Sequence, residues 1–261
     1  MASYWSERRN PLLSLEQMLA EKTTLRTQKV THRNIICHSD DSIVTAIDIT
    51  SNGKLALTGS SSGTLSLVNL DSQVVETFTT TKAGVGVRLV CILSDEVRFV
   101  FVDQANRVEL RDLSNKEAEL LLDQPAVNVT CITTLGVDYV LLGCENGELL
   151  LFNLHVKQYM YEHQAHSEAV SQVNSDAASL LHFVSGSASG CVKLWHVSKT
   201  RESGSTSQNI NSLFCSLGGA KFTPLWSQVW SHDNVYPHPI TALTFVPDYK
   251  DIMIGSFYGN K

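Results

Sequence analysis

Apolar positions in this chain fall in short runs, separated at regular distances by polar turns. From about Lys29 onward the runs are rich in Val, Ile, Leu, Phe and Thr and are bounded by Gly, Ser, Asn and Asp. Short β-branched and aromatic runs between turn residues predict strands. Val30 to Cys37 reads as the first. Ile43 to Ile49, Leu55 to Gly59, Thr64 to Leu70 and Val74 to Thr79 then form a set of four, with Asn52-Gly53 and Ser60-Ser61-Ser62-Gly63 as turns. No helical period interrupts the set, which argues against a parallel βαβ arrangement.

The set then repeats. Arg88 to Leu93, Val97 to Val102, Arg107 to Leu113 and Glu119 to Leu122 make a second copy. Val127 to Thr133, Tyr139 to Gly143, Glu148 to Leu154 and Gln158 to His163 make a third. Ala169 to Asn174, Leu181 to Gly186 and Cys191 to Val197 begin a fourth, whose last strand is poorly marked. Ile240 to Val246 and Asp251 to Ser256 begin a fifth. The residue closing each third strand (Leu70, Leu113, Leu154, Val197) recurs every 41 to 43 residues. A four-strand unit at that period marks a radially repeated β architecture, in which stacked sheets bury one another's faces.

The fifth unit arrives late. The intervening segment, 199–231, is rich in Ser, Asn and Gly and reads as a long loop insertion. Its apolar patches, Leu213-Phe214 and Phe222 to Trp230, imply that part of it packs on something. Approximate repeat bounds are 38–80, 81–123, 124–165, 166–200 and 232–261, within one domain over 28–261.

Residues 1–27 differ. Leu12, Leu13, Leu15, Met18 and Leu19 share one helical face, and Ser14 with Gln17 fits a capping box. A short amphipathic helix is expected from about Ser14 to Leu25. It either packs on its own domain or docks in a partner's groove.

Composition narrows the function classes. Of the 261 residues, 43% are hydrophobic and 18% charged, as in a globular domain. The formal charge of −6 gives no basic stripe for nucleic acid. No apolar run is long enough to span a bilayer. The N-terminus lacks the apolar core of a signal peptide. The six cysteines form no CxxC pair and read as free thiols of a cytoplasmic chain, with the nucleus as the alternative and secretion excluded. His163 and His166 are the only histidines at ligand-like spacing, and no second His pair or Cys stands at a zinc-site distance, so neither metal nor cofactor is expected.

The best-formed unit is the fourth. His166 precedes its first strand, Ser185 ends the second, and Trp195 ends the third. In these residues and in its period the chain resembles the WD40 repeat family over about residues 30 to 261. That family's repeat carries a His, a Ser or Thr, a turn Asp and a Trp-Asp pair, and four of these residues form a buried hydrogen-bond chain. Here Ser189 stands at the turn Asp, and His196 replaces the Asp of Trp-Asp. The other units keep less: Thr58, Ser62 and Val68-Asn69 in the first, Phe101, Ala105 and Arg111-Asp112 in the second, Leu142, Asn146 and Phe152-Asn153 in the third, and Ile254 and Tyr258 in the fifth.

The resemblance implies an all-β, WD40-type β-propeller of four complete four-stranded blades plus a partial fifth. Such a count suits a truncated ring, an open ring completed by a partner's strands, or four closed blades with an appendage; truncation is the expectation. It implies a non-enzymatic interaction scaffold or adaptor subunit whose loop faces bind proteins or peptides. His166, Ser185 and Trp195 are then structural. Asp40, Asp41, Asp103, Glu145 and Glu168 are the candidate partner-binding residues, and their acidity favours a neutral or basic partner segment. The alternative of a propeller hydrolase would need inner-rim groups such as Asp48 or His166.

Overall fold

A computed structural model describes residues 42–80, 84–113, 118–123, 125–155, 157–176, 182–200, 223–233, 237–246 and 251–256. The chain divides into two units, Met1–Ile36 and Cys37–Lys261, and every described residue lies in the second. The expected N-terminal helix, the strand over Val30 to Cys37, and Asp40 and Asp41 lie outside the described residues.

The described part is all β. The first sheet holds β1 (Val44–Ile49), β2 (Leu55–Ser60), β3 (Thr64–Asn69) and β4 (Val75–Thr79). The second holds β5 (Val87–Ile92), β6 (Arg98–Asp103), β7 (Val108–Asp112) and β8 (Ala118–Leu122). The third holds β9 (Val129–Leu135), β10 (Tyr139–Cys144), β11 (Glu148–Asn153) and β12 (Gln158–Gln164). The fourth holds β13 (Val170–Ser175), β14 (His182–Ser187), β15 (Val192–Thr200) and β16 (Thr223–His232), and a fifth pairs β17 (Ile240–Val246) with β18 (Asp251–Ser256). Within each sheet the strands lie in chain order, every neighbour antiparallel.

One expectation is corrected. The outer strand of the fourth sheet is β16, all but the last residue of which falls in the segment read as a loop insertion. It pairs with β15 from Val192↔His232 to Thr200↔Thr223. Residues 223–230 of that apolar stretch are therefore sheet, joined to β15 by a connection too long for the repeat period to reveal.

The second and third strands of each unit turn on a fixed geometry. The N–H of Gly63, Asn106, Gly147 and Gly190 donates to the carbonyl of Ser60, Asp103, Cys144 and Ser187 respectively. All four turn residues have positive φ, between 62° and 89°. Asparagine is the non-glycine residue that best tolerates this region, and Asn106 uses its side chain as well. Its Oδ1 accepts from Val129 N at 3.0 Å, and its Nδ2 donates to Val127 O at 3.0 Å. A turn of the second sheet is thereby tied to the first strand of the third.

Sheets stack through their first strands, β1 on β5, β5 on β9, β9 on β13 and β13 on β17. Apolar clusters fill the spaces between. Phe99 and Phe101 of β6 join Leu57 and Leu65 of the first sheet, whereas Val100 and Val102, on the other side of β6, join Val140 and Leu142 of the third. Burial on both faces explains why these strands read as nearly unbroken apolar runs. Val87, Val129, Val170 and Ile240 hold one register position in successive first strands, and each is 0% exposed. Val44, at that position in β1, is 47% exposed. Ile47 and Ile49 are exposed beside it, and no comparable contact joins β17 or β18 to the first sheet.

Candidate functional site

The fourth sheet contains a buried polar chain. Ser185 sits on β14 and Trp195 on β15, and the Trp195 indole Nε1 donates to Ser185 Oγ at 2.8 Å. His166, in the loop before β13, brings its Nε2 to 2.7 Å from the same oxygen. Trp195 is stacked on Phe183 at 5.9 Å between ring centroids and meets the edge of His163, from the third sheet, at 5.1 Å. Ser185 is 0% exposed and Trp195 2%. The structure thus brings together the three residues that the resemblance to the WD40 repeat singled out.

Burial sets the charge state of His166. Desolvation, helped by the neighbouring Lys193 ammonium, lowers its pKa to about 4. Lys193 itself donates to Ala165 O at 2.7 Å, pinning the same loop. The other ring nitrogen, Nδ1, is buried and has no hydrogen-bond partner among the described residues. The family's turn Asp is missing from this unit. Ser189, at its position, instead shares a 2.8 Å hydrogen bond with Ser187.

The remaining sheets solve the same position differently. In the third, Leu142 and Phe152 fill it with apolar bulk. In the second, Arg111 takes the place of Trp195 and lies over the Phe101 ring, 5.6 Å from its centroid. Buried Glu109 stands 3.9 Å from both Arg107 and Arg111.

The candidate partner-binding residues separate into two kinds. Asp103 is not a surface group: it is 0% exposed. Its carboxylate accepts from Arg107 N at 2.9 Å and Arg107 Nε at 2.7 Å. Its position in a turn suggested an exposed loop, but the arginine four residues on closes over it. Glu145 and Glu168 are exposed. Glu145 accepts from Asn128 Nδ2 at 2.8 Å. Their turns adjoin, because a Cβ on Gly147 would lie 2.2 Å from His166 O and 2.8 Å from Glu168 O.

The groups that a hydrolase would need are engaged elsewhere. Asp48 Oδ2 accepts from Ile92 N at 2.7 Å and Oδ1 from Ile49 N at 2.9 Å, which ties β1 to β5. Burial raises its pKa. The described cysteines, Cys91, Cys131, Cys144 and Cys191, are free thiols. Burial pushes Cys131 and Cys144 up to about 12, far from a nucleophilic thiolate. Among the described residues no three His, Cys, Asp or Glu side chains gather as a metal site. No described helix is long and apolar enough to cross a membrane.

Comparison with known proteins agrees with this geometry. The family profile "WD domain, G-beta repeat" matches residues 29–69 and 157–196, the second spanning β12 to Trp195. The β-propeller domain of Myceliophteria thermophila Cps50 (Swd1) superimposes with a TM-score of 0.66 at 12% identity, covering 87% of this chain and 70% of that one. A chain from a crystal structure of the mitotic checkpoint complex gives 0.63 at 13% identity, covering 85% of this chain and 60% of that one. No curated protein sequence matches significantly. Repeat period, sheet topology, the His–Ser–Trp chain and the matched segments agree: the chain carries two segments that match the WD40 repeat and is folded as a β-propeller of four complete sheets and part of a fifth.

Proposed function

We propose that this chain is a non-enzymatic scaffold that binds partner proteins or peptides through its loop faces. One observation carries the reading: the polar residues best suited to chemistry are spent on holding sheets together. Ser185 and His166 resemble a nucleophile and base, yet both are sealed beneath Trp195, where no substrate reaches. What remains exposed at that end is loop surface, with Glu145, Glu168 and Asp233 among its acidic groups over the third and fourth sheets. These favour a neutral or basic partner segment, and the net charge of −6 disfavours nucleic acid. A soluble compartment, cytoplasmic or nuclear, suits such a role, as does the presence of this fold in a chain of the mitotic checkpoint complex.

The test is affinity purification of the wild-type chain beside a Glu145→Lys/Glu168→Lys variant. A defined partner set, weakened in the variant while its thermal midpoint stays put, supports the reading. An unchanged partner set, or saturable turnover that depends on His166, overturns it.

A second reading rests on the exposed row Val44, Ile47 and Ile49, whose counterparts in later sheets are largely covered. Partner strands would complete the stack there. Val44→Asp would then abolish the complex, whereas the loop variants would not.

A further inference from the structure

The fourth sheet holds two more imidazoles that the Trp195 chain does not use. His182 opens β14, and His196 lies directly across from it on β15 in the antiparallel register. His196 Nδ1 and His182 Nε2 are 3.1 Å apart. Their ring centroids are 4.8 Å apart, with the planes inclined at 43°. Both rings are half-buried. The pair is a property of this chain, since His196 stands where the family repeat carries Asp. The two residues are 14 apart in sequence, and only the strand register makes them neighbours.

A 3.1 Å separation suits a hydrogen bond in which one ring donates to the other. It also suits a shared metal. Late divalent transition ions bond imidazole nitrogen at about 2.0–2.1 Å, so two such bonds spanning 3.1 Å subtend roughly 98°, between the square-planar and tetrahedral values. The backbones need not move. β14 is paired on both sides, to β13 and β15, and β15 to β14 and β16. Each ring can turn about its soft terminal torsion so that the two lone pairs converge. The Asp176 backbone N–H donates to His182 O, fixing the start of β14.

We propose that His182 and His196 form a two-imidazole site for a divalent late-transition-metal ion of the Zn, Ni or Cu class, bridging β14 and β15. Water completes the coordination, because the described residues bring no third ligand into place. Binding is reversible, and the ion clips together the two strands that carry Ser185 and Trp195. The inference stands on the imidazole geometry and is independent of the scaffold reading.

The experiment uses the full chain, titrated with NiCl2 by calorimetry and with CuSO4 by electron paramagnetic resonance. The expected result is one equivalent bound, superhyperfine splitting from two nitrogens, and a thermal midpoint raised by metal and returned by chelator. His182→Gln and His196→Asp should each weaken binding at least about tenfold, and His155→Gln, at an exposed site, should not. His182→Gln keeps the test decisive if His196→Asp fails to fold. No binding at about 1 mM metal, a Cu signal without two nitrogen couplings, or one-site binding unchanged in the His182 variant would each overturn the proposal.

Discussion

Gly59 leaves the space that Val87 of the next sheet fills: a Cβ on Gly59 would lie 2.5 Å from Val87 Cγ1 and 2.8 Å from its Cβ. The relation repeats along the stack. A Cβ on Gly143 would meet Val170 at 2.8 Å, and one on Gly186 would meet Ile240 at 2.8 Å. Where the second sheet has Val102 in place of glycine, it packs in the same cluster as Val129. Gly255 holds the corresponding position in β18, and its Cβ would meet only Ala242, at 3.2 Å from that side chain. Gly59→Ala should therefore overpack a closed interface and cost about 1–3 kcal/mol. Gly255→Ala should stay within about 0.5 kcal/mol of wild type. Urea midpoints of the two variants decide it; equal losses would mean that the glycines answer to strand geometry and not to the neighbouring sheet.

Truncation of Trp195 removes a large buried ring and the donor to Ser185. Trp195→Ala is expected to lose about 3–5 kcal/mol. Ser185→Ala is the sharper test, because it deletes few atoms yet leaves the buried Trp195 Nε1 and His166 Nε2 without this shared oxygen. A loss of about 1–3 kcal/mol is expected. A loss no larger than that of an exposed serine would show that the hydrogen-bond chain adds nothing.

His166 makes stability depend on pH in a defined direction. Its folded pKa, about 4, lies below the ordinary value of 6.5. The neutral ring is the one that fits the fold, and the unfolded chain takes up a proton first. Stability from this group is complete above pH 6.5 and falls as pH drops toward 4, by up to about 3 kcal/mol. Other groups titrate in the same window, so the measurement is the difference between wild type and His166→Gln. Their urea midpoints should converge as pH falls from 6.5 to 4; parallel curves would remove His166 as the cause.

Asp103 tests the distinction between a surface turn and a buried pair. Asp103→Ala leaves the Arg107 guanidinium buried without its carboxylate, and about 3–5 kcal/mol of stability should go with it. Partner binding at Glu145 and Glu168 should be unaffected in whatever fraction remains folded. A stable Asp103→Ala chain that loses its partners would restore Asp103 to the binding surface.

Much of the architecture was legible because each strand is short, apolar and closed by turn residues, and because sheets buried on both faces write unbroken apolar runs. The observed ends of the expected strands over residues 43–256 fall within three residues of the predicted ones. β16 escaped because its link to β15 breaks the period that located the others. The His166, Ser185 and Trp195 grouping was legible through the resemblance of the fourth unit to the WD40 repeat. Asp103 was misread because an acidic residue in a turn is usually solvated; the arginine at Asp103-x-x-x-Arg107 was the available signal. His182 with His196 left no trace in spacing, since a cross-strand pair exists only once the register is set.

The missing turn Asp leaves a specific, reversible defect in the fourth sheet. His166 Nδ1 is buried without a partner among the described residues, and Ser189 stands where the family repeat supplies a carboxylate. A buried ring nitrogen left unpaired costs about 1–3 kcal/mol. Ser189→Asp restores the acceptor beside the loop that carries His166 and gives up only the Ser187 hydroxyl contact. The new carboxylate should fix the imidazole proton on Nδ1, raise the His166 pKa from about 4 toward the ordinary histidine value, and stabilise the chain by about 1 kcal/mol. Side-chain nuclear magnetic resonance titration of His166 in the two chains is the measurement. A raised pKa with a higher urea midpoint means that the polar chain of this sheet is an eroded but intact version of the family's. An unmoved pKa would show that Ser189 does not face the ring, and the orphaned nitrogen would then need another explanation in the packing around Lys193 and Ala165.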